Sequence, residues 1–146
     1  MSRNSRGFTL VEILIVVIIL GILAAIVIPQ FTNASSDARN NSVASTLQTM
    51  RGQIELFKIQ HGDTAPASAA ALTVVLTGKT NPADVTTTSA TGTLGPYVQS
   101  FPVNPVNGWS TVAAAAGASV GWVYTAAGGA YTVTATDTTG TGLLTY

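Results

Sequence analysis

Glu12 is the residue that asks most for a chemical explanation. It sits in Phe8-Thr9-Leu10-Val11-Glu12-Ile13-Leu14-Ile15-Val16-Val17-Ile18-Ile19-Leu20-Gly21-Ile22-Leu23-Ala24-Ala25-Ile26-Val27-Ile28, a run with no other charge. A carboxylate near the centre of a bilayer costs about 2.5–3.5 kcal/mol. Two readings stand: the side chain lies close enough to the interface to reach water, or it meets a cation that neutralises it. No other ionisable residues assemble a reactive group. His61 is the single histidine. It falls where a helix is expected to end, and the carbonyl end of that helix accounts for it. Serines are common, but a Ser-His-Asp relay would depend wholly on His61. Neither a glycine-rich phosphate loop with its lysine nor a glycine fingerprint after a strand occurs. These absences argue against an enzyme.

Composition narrows the classes further. The length suits one domain of ordinary size. Six basic residues balance six acidic ones, and the basic ones are scattered, so no surface for a phosphate backbone forms and nucleic acid is not expected. There is no cysteine, which excludes a disulfide framework and thiolate metal sites. Asn33-Ala34-Ser35 and Asn40-Asn41-Ser42 match the glycosylation pattern and are assigned no role.

The element that positions Glu12 is the apolar run itself. As a helix, residues 8–28 measure roughly 31 Å, about the thickness of a hydrocarbon core. A secretory signal would have a shorter apolar region and a small-x-small cleavage site after it; neither fits. Arg3 and Arg6 precede the run with no acid beside them, so the positive-inside rule puts that end in the cytoplasm and the chain beyond Pro29 outside. Gly21 and Ala25 have the small-xxx-small spacing that lets helices approach, though incidental small residues explain it equally. Pro29 lacks an amide proton and is expected to kink or locally open the helix.

Gly7-Phe8-Thr9-Leu10-Val11-Glu12 resembles the processing motif of type IV prepilins and type II secretion pseudopilins. The resemblance takes in the basic leader, the glutamate four residues after Phe8, the long apolar helix, and Gly21 and Pro29 at positions where the family commonly has a glycine and a proline. It implies cleavage after Gly7 by a prepilin peptidase and methylation of the new amine on Phe8. It implies further that Glu12 pairs with the amine of a neighbouring subunit as helices bundle, setting the register of the incoming copy.

Downstream, Val43, Leu47, Met50, Ile54 and Phe57 recur at helical spacing, and Gly62 after His61 reads as a helix stop. One helix from about Phe8 to His61, bent near Pro29, is expected. A short helix is expected within residues 67–76. Residues 94–108 carry Pro96, Pro102, Pro105 and the Asn107-Gly108 turn, a rigid loop pinned by Tyr97 and Phe101. Strands are expected at 120–125 and 130–135 about a Gly128-Gly129 turn, with a further short one at 143–146. Trp122 and Tyr124 share one face, as do Tyr131 and Val133, and one face of the sheet should cover the amphipathic helix. The fold class is α+β: a long N-terminal helix packed on a small antiparallel sheet.

The proline-asparagine loop followed by an aromatic hairpin is similar to the head of major pseudopilins. The missing cysteine pair points the same way, because many type IV pilins close that region with a disulfide. The organisation implied is a leader at 1–7, a transmembrane and filament-core helix at 8–28, an amphipathic helix at 29–62 and a head at 63–146. The implied partners are copies of the same chain, other pilins or pseudopilins, the prepilin peptidase, and an inner-membrane platform with its ATPase. The implied location is the bacterial inner membrane, single-pass, and then a periplasmic or surface filament. Major pseudopilins can hold calcium in a C-terminal loop. Here Asp137 is the candidate ligand, with Asp84 distant, and a solvated turn explains Asp137 better. Two other functions compete: a type IV pilus subunit, and a membrane-anchored binding module in which the helix is only a tether.

Overall fold

A computed structural model of the protein describes residues 7–145; the basic leader residues up to Arg6, Arg3 included, and Tyr146 lie outside the described residues. The chain divides into two units, Met1–Ala38 and Arg39–Tyr146. Helix α1, Leu10–Gln60, runs through both.

In the first unit α1 is apolar on every face over residues 13–28 and buries nothing. Its large side chains from Leu10 to Ile28 are between 42% and 82% exposed, Val27 and Leu10 being the limits. Pro29 lies inside the helix, which continues unbroken, so the expected local opening is absent from the single chain. Proline still leaves the Ala25 carbonyl without its amide donor. One turn on, the Thr32 hydroxyl donates to the Ile28 carbonyl at 3.2 Å.

In the second unit the expected stripe is realised residue for residue: Val43, Leu47, Met50, Ile54 and Phe57 are the buried positions of α1. The helix stops where Gly62 takes φ +63° and the Asp63 amide donates back to the Lys58 carbonyl at 2.8 Å. That is the Schellman closure, which needs a left-handed residue just past the helix. Helix α2, Ala69–Thr77, is capped by Ser68, whose side chain accepts from the Ala71 amide. Its Leu72, Val75 and Leu76 join the α1 stripe in one core.

Four strands complete the unit: β1 Val112–Ala113, β2 Trp122–Ala127, β3 Ala130–Thr136 and β4 Leu143–Leu144, in that order across the sheet. The β2–β3 and β3–β4 pairs are antiparallel. The β1–β2 pair is parallel, with Val112 opposite Trp122, so the sheet is mixed where an antiparallel one was expected. The return from β1 is made possible by Gly121, packed so tightly against the Trp109 carbonyl that any Cβ would collide with it. Gly121 and Trp122 both donate to the Thr111 carbonyl. This use of Val120 and Gly121 delays β2 by two residues from its expected start. Gly128 and Gly129 both take positive φ, 59° and 84°, as a two-residue hairpin turn requires.

The sheet's inner face presents Trp122, Tyr124, Val133 and Ala135, all buried against the α1 stripe. Among the described residues the outer edge of β3 pairs with β4 only at Ala135 and Thr136. Short of that, the Arg51 guanidinium donates to the Val133 carbonyl at 3.2 Å, and the Tyr131 hydroxyl donates to the Arg51 carbonyl at 3.3 Å.

Candidate functional site

The residues expected to be processed and to assemble gather at the start of α1. Gly7 and Phe8 precede the helix outside any regular element, and Phe8 is 79% exposed. Thr9 is the residue just before the first helical position. Its carbonyl accepts the first helical bond, from the Ile13 amide. Its hydroxyl accepts from the Glu12 amide at 3.2 Å. In return the Glu12 carboxylate receives the Thr9 amide at 3.4 Å and the Thr9 hydroxyl at 3.5 Å. This reciprocal arrangement is a capping box, in which two of the unpaired amides at a helix start are satisfied. Glu12 therefore has polar partners inside its own chain. Its negative charge also lies in the first turn, where the helix dipole favours it.

Thr9 was absent from the candidate residues, yet its signal was legible: a threonine three residues ahead of a glutamate, opening an apolar run. Gly21 and Pro29 do not join this cluster. Gly21 is nine residues up the helix from Glu12, about 14 Å away along the axis. A Cβ at Gly21 would meet no atom within 4 Å, so nothing within the chain explains a glycine there. It costs a helix interior about 1 kcal/mol relative to alanine.

The remaining candidates sit in the second unit. His61 is buried and stacked on Phe57, ring centroids 3.8 Å apart. Its Nδ1 lies 2.8 Å from the Phe57 carbonyl, and its Nε2 is buried with no partner. The imidazole thus closes the end of α1, and neither nitrogen is bonded to a hydroxyl or carboxylate. Asp137 accepts from the Thr139 amide and hydroxyl at 2.9 and 2.7 Å. These bonds, the hydroxyl's above all, hold its carboxyl below the usual range. Among the described residues no three His, Cys, Asp or Glu side chains converge as a metal site. Both Thr139 bonds fall on one carboxylate oxygen, Oδ1.

Tyr97 and Phe101 do pin the proline loop. Tyr97 donates to the Gln60 side chain at 2.6 Å and meets Phe57 edge-on, and Phe101 packs against the core. The stronger anchors are two asparagines not singled out for that role. Asn104 is fully buried and donates to the Gly121 and Thr136 carbonyls, each at 2.9 Å. Asn107 donates to the Asp137 carbonyl and the Thr136 hydroxyl. These bonds hold a structure together and present no reactive face.

The site is thus an apolar helix with its acid and cap at the extreme start, and comparison with known proteins bears on that segment. Residues 2–28 match the model of the prokaryotic N-terminal methylation motif. The amino terminus of the chain carries that motif. It is similar to the type II secretion system core protein G of Dickeya chrysanthemi, 34% identical over 42% of this chain and 40% of that protein. It is similar as well to the type IV wide pilus major component PilA4 of Thermus thermophilus, 37% identical over 58% of this chain and 63% of that protein. A longer match, to the core protein G of Klebsiella michiganensis, is 26% identical over 73% of this chain and 71% of the relative. The chain thus spans less than two thirds of the Dickeya and Thermus relatives. No solved structure matches. Among the described residues α1 is the one helix long and apolar enough to cross a membrane.

Proposed function

We propose that this protein is a structural subunit of a type II secretion pseudopilus. In this reading the precursor is cut after Gly7 on the cytoplasmic side by a prepilin peptidase and methylated on the Phe8 amine. The mature chain waits in the bacterial inner membrane, single-pass, with its head outside. A platform protein and its ATPase then draw copies into a helical filament with their own kind and with other pseudopilins. Residues 8–28 line the filament core and Glu12 meets the Phe8 amine of a neighbour. The role is structural and not enzymatic.

The observation that carries this reading is the stretch of α1 over residues 13–28, apolar on every face, with its large side chains exposed in the single chain. Each of its large side chains gains about 1.5–3 kcal/mol on leaving water. That outweighs the few kcal/mol charged to Glu12 many times over, so the segment requires lipid or sister helices. A tether would satisfy the same requirement. The methylation motif and the secretion proteins among the relatives favour assembly. A second reading, a type IV pilus subunit, is supported by the similarity to the Thermus pilus component.

Mass spectrometry of the protein from its native cell tests the processing step. The expected mature chain begins at Phe8 and carries one extra methyl group; retention of residues 1–7 would defeat the reading. Deleting the gene then separates the two branches. Loss of protein export with surface pili intact supports the secretion filament, and the converse supports the pilus.

A further inference from the structure

The C-terminal part of the head gathers its oxygens around two side-chain amides. Asn104 Nδ2 reaches the Gly121 and Thr136 carbonyls, each at 2.9 Å. Asn107 Nδ2 reaches the Thr136 hydroxyl at 2.8 Å, the Asp137 carbonyl at 2.9 Å and the Val120 carbonyl at 3.1 Å. We propose that these two amides do the work that a calcium ion would do in this loop, so that the head closes and stays closed without a cation. Closure of this kind belongs to the head alone and does not depend on the filament reading.

The direction in which each amide points is fixed by its other atom. Asn104 Oδ1 accepts from the Val106 amide at 2.9 Å, and Asn107 Oδ1 from the Trp109 amide at 3.1 Å. Each side chain closes a short turn in its own loop with its oxygen, which leaves the NH2 group to face inward. A primary amide has two hydrogens. Asn104 uses one on each of two carbonyls, and Asn107 shares its two among three oxygens. The Thr136 hydroxyl adds a donor towards the Val120 and Gly121 carbonyls. The proline loop is thereby bonded both to the approach to β2 and to the end of β3.

Calcium asks for a different shell. It takes about six to eight oxygens at about 2.3–2.6 Å, with carboxylates prominent among them. After Asp84 the sequence has one acid, Asp137, and the Thr139 amide and hydroxyl both donate to its Oδ1. An ion entering among the carbonyls would meet the positive ends of both amides. Turning Asn107 over to offer its oxygen would set an NH2 group against the Trp109 amide and break all three inward contacts. The residues present therefore do not fit the ion that the resemblance to major pseudopilins implies. The donors already in place hold the same oxygens together.

Unfolding of the full chain in detergent micelles, followed by the near-ultraviolet signal of its tryptophans, tests this. The midpoint should be the same in chelator and in millimolar calcium. A resident calcium at about a hundred times its dissociation constant would instead raise the folding constant about a hundredfold, and such a rise overturns the proposal. Asn107→Ala should lower the folding constant about tenfold in either medium. Asn107→Asp keeps the shape but turns an acceptor towards acceptors, and should lose about a further tenfold at neutral pH. Below about pH 4 its carboxyl regains a proton and can donate again, so its deficit relative to Asn107→Ala should close. That comparison cancels the titration of Asp137, the one other acid beside the loop. A deficit that ignores pH overturns the proposal, as does an Asn107→Ala head as stable as the parent. Should Asn107→Asp fail to fold, the parent's response to calcium and the loss in Asn107→Ala still decide.

Discussion

The two units of this chain solve opposite problems with one continuous helix. From Arg39 onward, polar groups are matched over long sequence distances. Asn104 reaches Thr136, Tyr124 donates to the Pro66 carbonyl at 2.7 Å, and the Trp122 indole donates to the Pro102 carbonyl at 2.8 Å. Up to Ala38, the side-chain hydrogen bonds at Thr9, Glu12 and Thr32 all close within about one helical turn, and the apolar side chains pack on nothing. One unit is finished by its own sequence. The other is finished only by what surrounds it. Substitutions should therefore sort by unit: changes in the head alter folding, and changes in the first helix alter assembly while the fold stays as it was.

The largest effect that would break or sharpen this division is expected at Glu12. A Glu12→Leu chain should insert more readily, by about 3 kcal/mol, and fold its head normally. Its assembled fraction, measured by shearing filaments from cells, should fall more than tenfold. A variant that is correctly trimmed and polymerises like the parent would end the assembly account. Next comes Trp122→Ala, which empties a fully buried site. It should cost the head about 3–5 kcal/mol, read by denaturant unfolding in detergent, with membrane insertion unchanged. Loss of insertion as well would show the two units to be coupled.

Asn104→Ala is expected to be milder. It removes two buried bonds, of which the Gly121 carbonyl keeps the Thr136 amide and hydroxyl as donors, and should cost about 2 kcal/mol, visible as a lower denaturation midpoint with an unchanged slope. Smallest is an alkaline effect confined to the head. Burial, followed by the hydrogen bond and charge of Glu55, pushes the Tyr131 phenol from 10.0 up to about 12. Burial and the neighbouring Tyr131 raise Tyr124 as well. A raised folded value favours the neutral phenol, so this stability is complete below pH 10 and drains away as pH climbs towards 12. Near-UV circular dichroism should show tertiary signal fading over that window, with Tyr131→Phe fading less. Equal alkaline midpoints would contradict it.

How much of this was legible depended on the reach of each interaction. The buried stripe of α1 needed only helical periodicity, and its five residues were read correctly from spacing. The hairpin needed only two adjacent glycines. The capping box was equally local, and Thr9 went unnoticed because Glu12 was weighed for its charge and not for its distance from a threonine. The parallel β1–β2 pair could not be read. It depends on Gly121 lying against Trp109 after a loop that carries no periodic signal. Asn104 was out of reach for a related reason: its two acceptors lie 17 and 32 residues away, and an asparagine in a proline loop looks like a surface turn residue until the sheet closes over it.

Arg51 has one further effect, on solubility at close quarters. An unpaired strand edge invites another chain to add itself in register, the opening step of uncontrolled β-aggregation. Among the described residues the edge of β3 over Tyr131 and Val133 lacks a strand, and there a cationic side chain is bonded to one of the acceptors that an invading strand would need. In the filament reading proposed above, such a guard would let heads crowd together without their sheets fusing.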